Sequence, residues 1–343
     1  MVAMTVGVDL AKSVFQVHGV DSSGRTTLRR RLSRGRLLEV FAELPPCRIG
    51  MEACASAHHW ARELVRLGHD VRLIPPQYVK PYVKRNKTDA ADAEAICEAV
   101  SRPNMRFVPI KTVDQQAVLA LHRARSLLVR QRTQLANAIR GLLAEFGIIV
   151  PKGIRRLTEL RERAARTASD SLPDEARSAV SLLFRQLEDT QDRIGAVESD
   201  ILAWHGRSEV SQRLVTAPGI GPITATALVA AVGDARQFTS ARGFAAWLGL
   251  TPRVTASGGK EKLGKISKGG DRYLRTLLIH GARGLVAALR RPSVVPRPWL
   301  LALVGRRPVN VAATALAHKT ARAVWAMLTR QEVWRAPVRA AAA

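Results

Sequence analysis

The chain has 343 residues, enough for two or three domains with buried cores, and 47% hydrophobic with 24% charged residues describes a globular chain and excludes a disordered one. Its 54 Lys and Arg against 28 Asp and Glu leave a net charge of +26, which repels itself unless a polyanion neutralises it, and nucleic acid is the commonest such partner. A membrane surface is the rival polyanion, but aromatic anchors are only 5% of the chain, so no membrane partner is expected.

The first hundred residues alternate strand and helix signals. Thr5–Leu10, Val14–Val20 and Arg25–Leu32 read as three strands, the last two joined through the turn Asp21-Ser-Ser-Gly24. A helical pattern over Leu37, Leu38, Val40, Phe41 and Leu44 stops at Pro45-Pro46. Cys47–Glu52 is a fourth strand, His58–Leu67 a helix, Val71–Ile74 a fifth strand closed by Pro75-Pro76, and Asp89–Val100 a third helix after the basic loop Lys84–Lys87. The order βββαβαβα predicts a mixed α/β sheet with helices on its faces. The cysteines Cys47, Cys54 and Cys97 form no CxxC pair, which argues against a zinc site or disulfide scaffold and suits a reducing cytoplasm.

From Val113 to Phe146 apolar residues recur at helical spacing (Val113, Ala117, Leu121, Ala124, Leu128, Leu135, Ile139, Leu142, Phe146), with arginines between them. A second long helix, Asp174 to Trp204, follows an Arg-rich linker. The two make an antiparallel pair, an oligomerisation arm, or amphipathic faces packed on the core. The uncharged stretch Leu214–Gly233 is broken by Pro218, Gly219, Gly221 and Pro222 and reads as two short helices around a turn, not a membrane span. A Gly/Lys-rich segment runs from Thr251 to Gly270, a helix from Asp271 to Leu289, a stiff spacer over Pro292–Pro298, and a last helix over Val309–Leu328.

Four acids stand out in this basic chain. Asp9 ends the first strand, in Val6-Gly7-Val8-Asp9, and Glu52 ends the fourth, in Ile49-Gly50-Met51-Glu52. Asp89 and Asp92 are i,i+3 and share one face at the start of the third helix. Taken singly they have plain explanations: Asp89 as an N-cap, Asp92 complementing the helix dipole, Asp9 a turn residue, Glu52 a surface acid. If they converge, their repulsion is relieved by divalent cations; hard oxygen ligands select magnesium or manganese, and a pair of such ions suits phosphoryl displacement.

In the last third, Ala217-Pro-Gly-Ile-Gly-Pro222 is either a plain interhelical turn or a helix-hairpin-helix turn whose Gly219 and Gly221 let backbone N–H groups reach a phosphate. Ser257, in Ala256-Ser257-Gly258-Gly259-Lys260, stands among Lys260, Lys262, Lys265, Lys268, Arg272 and Arg275, cations that could hold a phosphate beside its hydroxyl. Seen alone such a serine is a turn residue.

Gly7-Val-Asp9-Leu-Ala-Lys12, Gly50-Met-Glu52-Ala and Asn86-Lys-Thr-Asp89-Ala-Ala-Asp92-Ala resemble the RuvC-like "DEDD" domain of the insertion-sequence 110 family of bacterial transposases, in its 1111 subgroup, and the likeness extends through the C-terminal part. The resemblance implies an RNase H/RuvC-like domain over residues 1–110, a long-helix coiled-coil arm over 111–210, a helical transposase domain over 211–330 and a tail over 331–343. It further implies that Asp9, Glu52, Asp89 and Asp92 hold two Mg2+ or Mn2+ ions, and that Ser257 is the nucleophile of strand cleavage and rejoining through a phosphoserine link. No His, Asp or Glu of this segment presents itself as a base for Ser257; the metal site could lower its pKa if the domains meet. The implied partners are DNA, a guide RNA encoded by the insertion element and further copies of the chain as a dimer or tetramer, in the bacterial cytoplasm and on nucleoid DNA when acting. Two readings of other classes stay open: a RuvC-like junction nuclease that uses water, and a non-catalytic nucleic-acid-binding protein.

Overall fold

The structure, a computed structural model, describes residues 4–84, 88–153, 156, 172–291 and 298–335. Most of the Arg-rich linker, the spacer from 292 to 297, the basic loop from 85 to 87 and the tail beyond 335 lie outside the described residues. The chain divides into two compact units, Met1–Asp114 and Gln115–Ala343.

The first unit holds the mixed sheet. Strands β1 (Thr5–Leu10), β2 (Val14–Val20), β3 (Thr26–Ser33), β4 (Arg48–Glu52) and β5 (Asp70–Ile74) lie in the order β3-β2-β1-β4-β5. β1, β2 and β3 pair antiparallel, whereas β4 joins β1 and β5 joins β4 in parallel. This is the RNase H/RuvC-like α/β arrangement that the element order predicts. Strand residues alternate between the faces. Val6, Val8, Phe15, Val17, Ile49 and Met51 therefore bury one face against Leu37 and Phe41 of α1 (Leu37–Ala42) and Trp60 and Leu64 of α2 (Ala57–Arg66). Pro76 opens the short helix α3 (Pro76–Val79) rather than merely closing β5, since a proline needs no N–H at a helix's first position. The opposite sheet face is covered by α4 (Asp89–Val100).

Among the described residues the second unit is helical apart from one hairpin. The long helices α5 (Val113–Glu145) and α6 (Asp174–Arg207) run antiparallel: Arg125 bonds Glu198 at 2.7 Å, and Arg132, seven residues further along α5, bonds Gln191, seven residues back along α6. Between their other ends Ala136, Ile139 and Leu143 pack on Val180, Phe184 and Leu187. The buried face of α5 is Val118, His122, Ala136, Ile139 and Leu143, whereas Val113, Leu142 and Phe146 are exposed. The expected stripe is thus displaced mostly by one residue, about 100° around the helix. The buried face also includes His122, which the apolar pattern passed over. Its ring bridges Tyr273 Oη and Thr226 Oγ1, each at 3.0 Å, and burial pushes its pKa down to about 4.

Helices α7 (Glu209–Leu214), α8 (Pro222–Val232), α9 (Ala241–Trp247), α10 (Arg272–Ala288), α11 (Pro298–Arg306) and α12 (Val309–Arg330) share a second core, including Leu228, Phe244, Leu278, Leu316 and Val324. The uncharged stretch was expected to hold two short helices around a turn; the first, α7, ends at its first residue, Leu214, so the stretch is the turn followed by α8. Among the described residues no helix is long and apolar enough to cross a membrane. The Gly/Lys-rich segment, which carried no predicted element, is an antiparallel ribbon of β6 (Pro252–Ser257) and β7 (Lys260–Ile266).

Candidate active site

The acids on β1 and β4 owe their surroundings to two glycines. Val8 pairs with Met51 in the parallel register, so Asp9 and Glu52 are the next residues on adjacent strands. Two residues earlier on the same face stand Gly7 and Gly50. A Cβ at Gly7 would collide with the carbonyl of Ala93 and the backbone of Cys97, and one at Gly50 would lie 2.7 Å from Val100 Cβ. Helix α4 thus lies directly on backbone. Cys97 Sγ donates to Thr5 O at 3.3 Å, at the start of β1, so the helix runs back along the strand and its first turn overlies the Asp9 end.

That turn carries Asp89 and Asp92. Its cap is Thr88, whose Oγ1 accepts from Ala91 N at 3.2 Å, so the capping role available to Asp89 on sequence is filled by its neighbour. Asp9, Asp89 and Asp92 each present one carboxylate oxygen, all within 4.8 Å of one another, with Asp9 and Asp92 half-buried and Asp89 exposed. Three hard anionic donors at that separation suit a small divalent cation. Glu52, half-buried at the end of β4, is not part of that group. Nearby Glu94 bonds Lys84 at 2.5 Å, and this ammonium holds its carboxyl below the usual range. Burial pushes the Cys97 thiol up to about 11, so at neutral pH it supplies no thiolate.

The C-terminal candidates divide. Ser257 is the last residue of β6 and pairs with Lys260 across a two-residue turn in which Gly258 and Gly259 have φ of 55° and 75°. Such a primed turn needs positive φ at both positions and explains the two glycines without reference to chemistry. A Gly-Gly pair between short runs is a known hairpin signal, and the ribbon was legible there. Ser257, Lys260, Lys262, Lys265, Lys268 and Arg272 are exposed. Arg275 is not the surface cation expected: it is 8% exposed, and its Nη1 bonds Leu248 O at 3.0 Å and Gly269 O at 2.9 Å, stapling the ribbon's base to α10. Gly219 (φ 84°) packs backbone to backbone on Gly281 of α10, whereas Gly221 is exposed as the N-cap of α8.

Residues 6–148 match the profile of a DEDD-type transposase family of the IS110 kind, and residues 211–295 match the Transposase IS116/IS110/IS902 family. The chain belongs to this transposase family. It is 53% identical over 332 residues to a Pseudomonas aeruginosa protein named "Probable family 20 transposase", covering 96% of this chain and 98% of that one. It is 43% identical to the "Transposase for insertion sequence element IS1111A" of Coxiella burnetii (96% and 91% covered) and 42% identical to the "Transposase for insertion sequence element IS1328" of Yersinia enterocolitica (96% and 98%). This is an insertion-sequence transposase, an enzyme that processes DNA, and its DEDD-type domain points to a divalent metal.

Proposed function

We propose that this transposase cuts and rejoins DNA with Ser257 as nucleophile, while Asp9, Glu52, Asp89 and Asp92 hold two Mg2+ or Mn2+ ions. The observation that carries the reading is the convergence of Asp9, Asp89 and Asp92 within 4.8 Å in a chain of net charge +26. Bound there, the ions would supply positive charge for the attacking and departing oxygens of a phosphoryl displacement. The carboxylates of this chain bind and orient, Glu52 joining the other three from the end of the adjacent strand. Ser257 Oγ forms a bond to phosphorus, one P–O ester bond breaks, and its electron pair goes to a deoxyribose oxygen that gains a proton in place of the one Ser257 loses. The ester linkage conserves the bond for rejoining.

In this reading residues 1–110 serve the metals, 111–210 form the arm, 211–330 bring the serine, the glycine turn at Gly219 and Gly221 and the basic surface (Lys260, Lys262, Lys265, Lys268 and Arg272), and 331–343 form a tail. A net charge of +26 accommodates two polyanions, DNA and an RNA encoded by the insertion element, and the chain acts as a homo-oligomer in the bacterial cytoplasm. A water-using nuclease is the second reading, favoured by a turn at Gly258-Gly259 that demands no serine.

The deciding test is a denaturing gel with labelled DNA spanning an insertion-element boundary, element RNA and magnesium. The wild type and Ser267→Ala, which removes the other serine of the Thr251–Gly270 segment, are expected to form a protein–DNA adduct mapping to Ser257, and Ser257→Ala to form none. Robust cleavage with no adduct, unchanged in Ser257→Ala, would leave the carboxylates and remove serine chemistry.

A further inference from the structure

The ribbon β6–β7 has two chemically distinct faces, set by its register. Residues paired across an antiparallel ladder share a face, with Cβ atoms about 4.5–5.5 Å apart, and successive pairs alternate sides. Ser257 pairs with Lys260 and Thr255 with Lys262, so one face carries two hydroxyls opposite two ammonium groups. Ala256 pairs with Glu261 and Val254 with Leu263, so the other face is apolar with one acid near the tip. Two lysines opposite two hydroxyls do not follow from the turn, which dictates only Gly258 and Gly259. All eight of these paired residues are exposed, so the alternation serves no core.

A serine hydroxyl attacking a phosphodiester builds negative charge on the non-bridging phosphate oxygens, and a fixed cation beside the attacking atom stabilises that charge. Lys260 is the residue that the register puts opposite Ser257 at the tip. Lys262 stands two residues along the same strand and face, roughly one phosphate spacing away. We propose that Lys260 is a catalytic partner of Ser257, its ammonium gripping the phosphate that Ser257 attacks, with Lys262 holding a neighbouring phosphate to align the strand along the ribbon. The inference rests on Ser257 being the nucleophile. Ser257 Oγ forms the bond to phosphorus, the P–O bond to the departing deoxyribose oxygen breaks, and that oxygen takes up the proton that Ser257 loses.

The test uses the full chain with the boundary DNA, element RNA and magnesium, at protein concentrations that saturate binding, and reads the rate of adduct formation. Lys260→Ala is expected to slow the adduct roughly 10²–10³-fold at saturation, and Lys260→Arg to recover most of the rate because it restores a cation. Lys262→Ala is expected to act mainly on the concentration needed for saturation. Glu261→Gln, on the opposite face, is expected to form adduct at the wild-type rate. Circular dichroism on each variant reports folding, and the exposure of Ser257, Lys260, Glu261 and Lys262 makes loss of the core an outcome unconnected with these side chains. If Ser257→Ala still forms the adduct, the serine reading fails. If Ser257→Ala is dead while Lys260→Ala reaches the wild-type rate at saturation, or if Lys260→Arg is as slow as Lys260→Ala, the serine stands and Lys260 has no part in the step.

Discussion

The carboxylate group and the serine-bearing ribbon are built in opposite ways. Asp9 extends from a central strand, and Asp89 and Asp92 from a helix seated on bare backbone at Gly7 and Gly50, so several packed elements determine where their oxygens lie. Ser257 lies at the tip of a two-stranded ribbon whose residues are almost all exposed, held by its turn, its ladder and the Arg275 staple at its base. Ligands for a small hard cation require narrow geometric tolerance, which a core supplies. A two-stranded ribbon has little stability of its own and can adapt to a large ligand. Backbone substitutions should accordingly cost more in the first region than in the second, whereas the functional side chains of both act through chemistry.

The largest expected effect is at the acids. Asp89→Asn is expected to reduce magnesium-dependent cleavage by several orders of magnitude with little change in melting temperature, because Thr88 caps α4 and a neutral amide is a poor ligand. Near-wild-type cleavage by that variant would show that the acids near α4 serve the helix and not the chemistry.

Glycine substitutions compare the two regions directly. Gly7→Ala forces a methyl group into the backbone of α4 and is expected to cost about 3 kcal/mol, lowering cleavage as the first turn of α4 shifts. Gly258→Ala meets no atom within 4 Å and has only its φ of 55° to strain, so about 1 kcal/mol is expected, with urea unfolding as the readout. Equal losses at the two sites would contradict the contrast.

His122 gives a pH handle on the second unit. Its folded pKa is depressed to about 4 from an unfolded value of 6.5. Between these values the unfolded chain takes up a proton that the folded chain refuses. Stability attributable to this residue is therefore intact above about pH 6.5 and lost as pH falls towards 4, on the order of 3 kcal/mol in all. His122→Gln, compared with wild type by urea unfolding at several pH values, is expected to be less stable at pH 7.5 and to have a flatter profile. Parallel profiles would mean the ring is protonated within the fold.

The smallest effect is electrostatic. Each phosphate neutralised contributes about −0.9 to the slope of log binding constant against log salt, so Lys262→Ala is expected to lower a steep slope by about one unit. A wild-type slope equivalent to one or two contacts would remove the extended basic surface from the account.

Much of the first unit is legible in its sequence. Alternating apolar runs, proline stops and the i,i+3 spacing of Asp89 and Asp92 are local signals, because strand and helix periods are written in neighbouring residues. The net charge, the break in Leu214–Gly233 and the motifs around the four acids also needed nothing but sequence. Tertiary structure decided what depends on partners distant in the chain. Gly7 and Gly50 could be read as strand glycines, but only the approach of α4 shows that a methyl group is forbidden there. Thr88 rather than Asp89 became the cap because backbone dihedrals select between adjacent polar residues. His122, polar by composition, joined the buried face of α5 because its ring found Tyr273 and Thr226 on two other helices. Arg275 left the basic surface because two backbone carbonyls at the ribbon's base captured its guanidinium. In each case residue type is local, whereas burial and hydrogen-bond partners are set by chain segments that meet only in the fold.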